Sequence, residues 1–188
     1  MNYYGAKELA DSFRTVRKNT IQVAEDIPEN QYGFRPADGT RTVGEQLAHI
    51  AMGPAWAERI HRTEVLNTFE GFDFFKFFGE IDKKEKQPRT KAQLIDLLRS
   101  EGEQFASWLE GLSDGFFGQR VEMPAGMGQP AKSRFEMLMS TKEHEMHCRA
   151  QLMVVERMIG IVPHLTRQME ERMASMTQAK AGGAQSSS

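Results

Sequence analysis

The chain has 188 residues, of which 39% are hydrophobic, 9% aromatic and 27% charged; this suffices for one sizeable core and falls short of two comfortable domains. Lys and Arg number 24 against 26 Asp and Glu, and the resulting net charge of -2 offers no bulk electrostatic case for nucleic acid or an anionic membrane. No apolar run nears the roughly 18 residues of a membrane span, the first residues are polar where a signal peptide is apolar, and a lone cysteine, Cys148, excludes an intramolecular disulfide and fits a reducing cytoplasm.

Helical periodicity dominates the chain. From Tyr4 to Asp26, Leu9, Phe13, Val16, Thr20, Val23 and Ile27 recur at threes and fours, which predicts one buried face ending at Pro28. Residues 29–41, rich in Pro, Gly, Asn and Asp, read as a loop. Thr42 with Glu45 forms a capping box for a second helix that turns Val43, Leu47, Ile50 and Ala51 inward, until Pro54 bends or ends it. Six of the 12 phenylalanines fall in Phe69–Phe78, where a pocket wall, a lid or dimer contact, and plain core packing by a short helix are all open readings.

Lys83 to Arg89, charged and holding Pro88, reads as a loop. Thr90 caps a third long helix carrying Leu94, Leu97, Leu98, Phe105, Trp108 and Leu112 on one face. Gly111 to Ser133 is broken by Gly and Pro, with Arg120–Met123 placed to form a hairpin across a turn at Ala125–Gln129. Ser133 and Glu136 box the start of the fourth long helix, and Gly160 closes it. A last helix, Met-rich, runs from about Leu165 to Lys180. The expected organisation is a single bundle domain over residues 1–180 with a flexible tail at 181–188.

Of the five histidines, three stand out. His49 lies beside the apolar stripe of the second helix. His144 and His147 share a turn with Cys148, and residues three or four apart occupy one helix face. A two-ligand turn facing one ligand on another helix is how bundles build metal sites, and imidazole with thiolate suits a borderline ion such as zinc. His144-Glu145-x-x-Cys148 also echoes the zincin pattern with Glu145 as base, but the second His and a third ligand are missing, which argues against a protease. His61 and His164, near helix ends among polar neighbours, read as solvated.

Two segments carry a family resemblance. Tyr32-Gly33-Phe34-Arg35-Pro36 followed by Thr42-Val43-Gly44-Glu45-Gln46-Leu47-Ala48-His49-Ile50, and His144-Glu145-Met146-His147-Cys148-Arg149-Ala150-Gln151-Leu152 followed by Glu156 to Pro163, resemble the two signatures of the DinB/YfiT-like family, in order, within about Tyr3 to Thr166. The resemblance implies an all-α, up-down-down-up four-helix bundle, here with a small β-hairpin excursion, often a homodimer. It implies a divalent metal, zinc or nickel, held by one His of the second helix and a His-x-x-x-His pair of a later one, and a small-molecule substrate, with a low-molecular-weight thiol as cosubstrate in thiol-dependent transferases.

His49 and His144 match the first two ligand positions, and Cys148 stands at the third, where the family usually has His. A Cys sulfur reaches roughly 2 Å less far than a His ring nitrogen, and the longer metal–sulfur bond recovers only about 0.2–0.3 Å. Three outcomes stay open: Cys148 ligates after a backbone shift, His147 swings in, or the site is empty. Glu45, Glu143 and Gln151 are candidate partners for the imidazoles. The alternative function is a metal-free bundle that uses its phenylalanine-rich segment as a pocket or partner surface.

Overall fold

The computed structural model describes residues 4–126 and 128–185, with backbone alone beyond residue 178. Helix α1 (Ala6–Asp26) covers Leu9, Phe13, Thr20 and Val23 completely and stops because Pro28 forces Ile27 into an extended conformation. The Tyr32 hydroxyl donates to the Ala24 carbonyl at 2.7 Å and pins the following loop to α1. In α2 (Val43–Met52), the Glu45 N–H donates to the Thr42 hydroxyl and the Thr42 N–H to the Glu45 carboxylate. Pro54 both ends that helix and opens α3 (Pro54–Glu58), since a first helical position needs no N–H; a π turn at Arg59–Thr63 follows.

Asp73 caps α4 (Phe74–Glu85) by accepting from the Lys76 N–H at 2.9 Å. The expected loop at 83–89 is thereby shortened. Lys83, Lys84 and Glu85 are good helix formers, and Pro88 restricts only its immediate predecessor, so the helix runs on through Glu85. Helix α5 (Lys91–Glu110) starts on a Thr90–Gln93 capping box. A short α6 (Asp114–Gly118) leads into the hairpin of β1 (Arg120–Glu122) and β2 (Ala131–Ser133), antiparallel with Arg120 opposite Ser133. Helix α7 (Arg134–Met158) begins on the Ser133–Glu136 box and is closed by Gly160 at φ 83°, a left-handed turn that suits glycine. Helix α8 (His164–Gln185) runs past the expected end at Lys180 and takes up residues 181–185 of the segment read as tail, while residues 186–188 lie outside the described residues.

Side-chain bonds fix the directions of the four main helices. Lys91 of α5 reaches the carbonyls at the end of α1, while Arg14 near its start pairs with Glu103 and Glu110, so α1 and α5 are antiparallel. Leu138, early in α7, shares a core cluster with Leu9 and Phe13, and Leu152, late in α7, shares one with Val23 and Ala24, so α7 runs with α1. Gln46 meets the Cys148 carbonyl while His49 meets His144, which sets α2 against α7. The order is up-down-down-up, with the hairpin between the third and fourth members. None of the described helices is long and apolar enough to cross a membrane.

A charged pair sits at the centre of this bundle. The Arg17 guanidinium donates from Nε and Nη2 to both carboxylate oxygens of Glu145, from Nη1 to the Leu98 carbonyl at 2.7 Å, and from Nη2 to the Ile50 carbonyl at 3.3 Å. The Thr20 hydroxyl donates to Glu145 at 2.7 Å. All four main helices thus meet on one ion pair whose remaining bonding capacity is used, the condition under which a buried pair is tolerated. Gly102 makes the crossing fit, because a Cβ there would stand 2.7 Å from Arg17 Cγ. Gly102→Ala should therefore destabilise by about 1–3 kcal/mol through overpacking, against a helix-propensity gain of roughly 1 kcal/mol. Urea denaturation measures the balance, and a net gain in stability would refute the steric reading.

Candidate metal centre

His49 stands in the last turn of α2 and His144 one turn before Cys148 on α7, where the antiparallel packing of the two helices brings them face to face. The two Nε2 atoms are 3.0 Å apart and His144 Nε2 is 3.5 Å from Cys148 Sγ. One ligand atom from each of the three residues fits within a 4.8 Å span. Tetrahedral zinc with two nitrogens and one sulfur calls for donor separations of roughly 3.3–3.6 Å. The donor set therefore fits a divalent ion once the longest separation closes by about 1.2 Å. Cys148 is 4% exposed, His49 half-buried and His144 exposed at the rim. His147, the other candidate, points elsewhere: its Nε2 lies 3.0 Å from the Gln151 amide nitrogen, outside the trio.

The second nitrogen of His49 faces Glu85, with Nδ1 2.7 Å from the carboxylate. A proton on Nδ1 donated to Glu85 leaves the Nε2 lone pair directed at His144 and Cys148, the tautomer a metal ligand needs. Arg41 donates to the other oxygen of Glu85 at 3.2 Å. Burial alone would raise the Glu85 carboxyl, but the His49 bond and the Arg41 charge outweigh it and hold it below the usual carboxylate range. Desolvation, then the charges of His49, His147 and Arg41, keep His144 below ordinary imidazole. Burial pushes the Cys148 thiol up.

Glu85 was not among the partners expected from sequence. Within Lys83-Lys84-Glu85-Lys86 it looks like one member of a solvated charge run, and only the end of α4 folding over α2 gives it another role. Glu45 is instead occupied in its capping box and with Arg35, Glu143 is exposed, and Gln151 bridges His147 and Gln46. Glu145 is turned into the core against Arg17, so it cannot serve as a base beside His144. His61 and His164 are not solvated: they are 2% and 3% exposed. His61 accepts from Arg134 at 2.8 Å, and burial together with that cation lowers its ring to about 4.

A family model, the DinB superfamily, matches residues 12–152, which contain every ligand candidate. The chain belongs to the DinB superfamily. This DinB chain is similar to the uncharacterized protein YjoA of Bacillus subtilis, at 23% identity over 156 residues, covering 82% of this chain and 91% of YjoA. The crystal structure of that DinB-like protein superposes with a TM-score of 0.59 at 19% identity, over 81% of this chain and 92% of YjoA. YfiT of Bacillus subtilis, described as a probable metal-dependent hydrolase with an unusual four-helix bundle topology, gives a TM-score of 0.65 at 18% identity over 86% of this chain and 91% of its own. An uncharacterized protein of Clostridium difficile 630 gives 0.61 at 15% identity, over 84% and 98%. These likenesses establish the bundle as the DinB fold.

Proposed function

We propose that this DinB chain is a divalent-metal-dependent enzyme acting on a small molecule, with His49, His144 and Cys148 as protein ligands. The observation that carries the reading is the convergence of two ring nitrogens and one sulfur within 4.8 Å, with Glu85 behind His49. Three protein ligands leave a coordination position for substrate, the arrangement of catalytic zinc. A divalent ion bound there supplies Lewis acidity and favours the thiolate form of a coordinating thiol.

The ion itself favours transfer from a low-molecular-weight thiol over hydrolysis, because a coordinated thiol is deprotonated outright at neutral pH whereas a coordinated water is only partly ionised. Glu85, paired with His49 and Arg41, is then needed to orient the ligand and not as a base. The description of YfiT supports hydrolysis as the second reading. A reducing cytoplasm belongs to the proposal, because Cys148 ligates only when reduced. So does a homodimer, for which Met169, Met173 and Met176 leave an exposed apolar stripe on α8; sedimentation velocity tests it.

Calorimetric titration with zinc and nickel tests the ligand set. His49→Ala and His144→Ala should abolish uptake. Wild-type loading should release protons at pH 7, because the raised Cys148 thiol must ionise to bind, and Cys148→Ala should lose that release. Glu85→Gln should weaken affinity by about tenfold or more through loss of the carboxylate behind the imidazole. Equal, negligible uptake by all of these proteins would remove the metal reading and leave the metal-free binding protein in its place.

A further inference from the structure

His49 and His144 line one cavity of about 530 Å³ together with part of the phenylalanine-rich segment, within the range that holds small-molecule ligands, although the sequence presents the metal ligands and that segment as rival bases for function. One end is formed by Arg41, His49 and His144, the other by Trp56, Phe77, Phe78 and Ile81. Phe78 stacks on Trp56 with ring centres 5.5 Å apart and planes 21° apart, and Phe77 meets the same indole edge-on at 5.5 Å.

Core packing does not account for these rings. Glu85 is the buried residue of α4, while Phe77 is half-buried and Phe78 is 51% exposed. A helix that keeps aromatic surface wet beside a cavity gains by covering it with an apolar body. Flat rings of matching size gain further from stacking, so the wall selects an aryl group over a branched aliphatic one. At the opposite end Glu85 takes up the charge of Arg41 and Asp82 also lines the cavity, so the positive charge that suits an anionic head would come from a divalent ion held by His49 and His144.

We propose that the substrate of this site is a small aryl compound carrying one anionic head, its ring against Trp56 and Phe78 and its head toward His49 and His144. The orientation of the head rests on the metal reading above, whereas the ring subsite does not. Phe69 and Phe72, which precede α4, pack on Trp56 from elsewhere, so exposed Phe78 can be replaced without opening the bundle core.

The test is equilibrium dialysis of 2-naphthoate and of uncharged 2-naphthalenemethanol against the full chain, first with chelator and then with zinc. Without metal, both probes should bind, and Phe78→Ala should weaken both by about tenfold. Phe75→Ala should change nothing, because Phe75, 95% exposed on the same helix, does not line the cavity. Zinc should then tighten 2-naphthoate several-fold and leave the alcohol unaffected. Equal binding by wild type, Phe78→Ala and Phe75→Ala overturns the ring subsite. Zinc uptake that fails to discriminate the two probes overturns the head orientation. Ring-dependent binding without any zinc uptake refutes the metal reading and upholds the ring subsite, so the two failures are told apart.

Discussion

Glu145→Gln is expected to cost about 3–5 kcal/mol of folding stability, the loss typical when one partner of a buried pair is removed. Arg17 and Glu145 have side chains only 4% and 3% exposed, so the change leaves a guanidinium charged and uncompensated between four helices. Arg17→Met combined with Glu145→Leu removes both charges, and should cost far less than the sum of the two single changes. Guanidinium denaturation of the four proteins gives the cycle. A loss below about 1 kcal/mol in Glu145→Gln would mean that solvent reaches the pair. Metal uptake should survive in any variant that remains folded, since Glu145 faces away from His144.

Glu156→Gln should act in the opposite direction and only at higher pH. Glu156 is wholly buried and neither carboxylate oxygen has a bonding partner within the described residues. Burial, reinforced by the Asp26 charge and partly offset by Arg167 and Arg157, raises it from 4.5 to about 7. An acid with a raised folded pKa stays protonated in the native state while the unfolded chain ionises. The wild type therefore loses stability as pH rises from about 4.5 to about 7 and carries the full penalty above that, about 3 kcal/mol. Glutamine removes the penalty, so the variant should be the more stable protein at pH 8 and close to wild type at pH 4.5. The lowered rings of His61 and His164 work the other way, costing stability as pH falls through the ordinary imidazole range, but they are common to both proteins and cancel in the difference. A pH-independent difference between the two denaturation curves would refute the assignment.

What could be read from the sequence was what local rules determine. Thr42–Glu45 and Ser133–Glu136 announce helix starts because the bonds involved lie within one turn, and the stripe from Leu9 to Ile27 announces a face because burial follows helical period. The juxtaposition of His49 with His144 came from the family resemblance rather than from spacing, since 95 positions separate them. Glu85, His61 and His164 escape a sequence reading for one shared reason. Each sits among polar neighbours in sequence, and its burial is imposed by a distant element: α2 for Glu85, Arg134 of α7 for His61, Asn19 of α1 for His164. Arg17 and Glu145 gave no sign of pairing, because a charged residue within an amphipathic helix reads as solvated until three other helices close around it.

Helix α4 carries the aromatic wall near one end and, about two turns later, the carboxylate that orients His49 at the other. Thermodynamic linkage then sets a strict condition on the shared cavity: whatever factor the wall's occupant contributes to ion affinity, the ion must return to that occupant. An uncharged ring leaves that factor at one, while an anionic head beside the ion raises it several-fold, so the zinc affinity measured with each probe present must reproduce zinc's own effect on that probe.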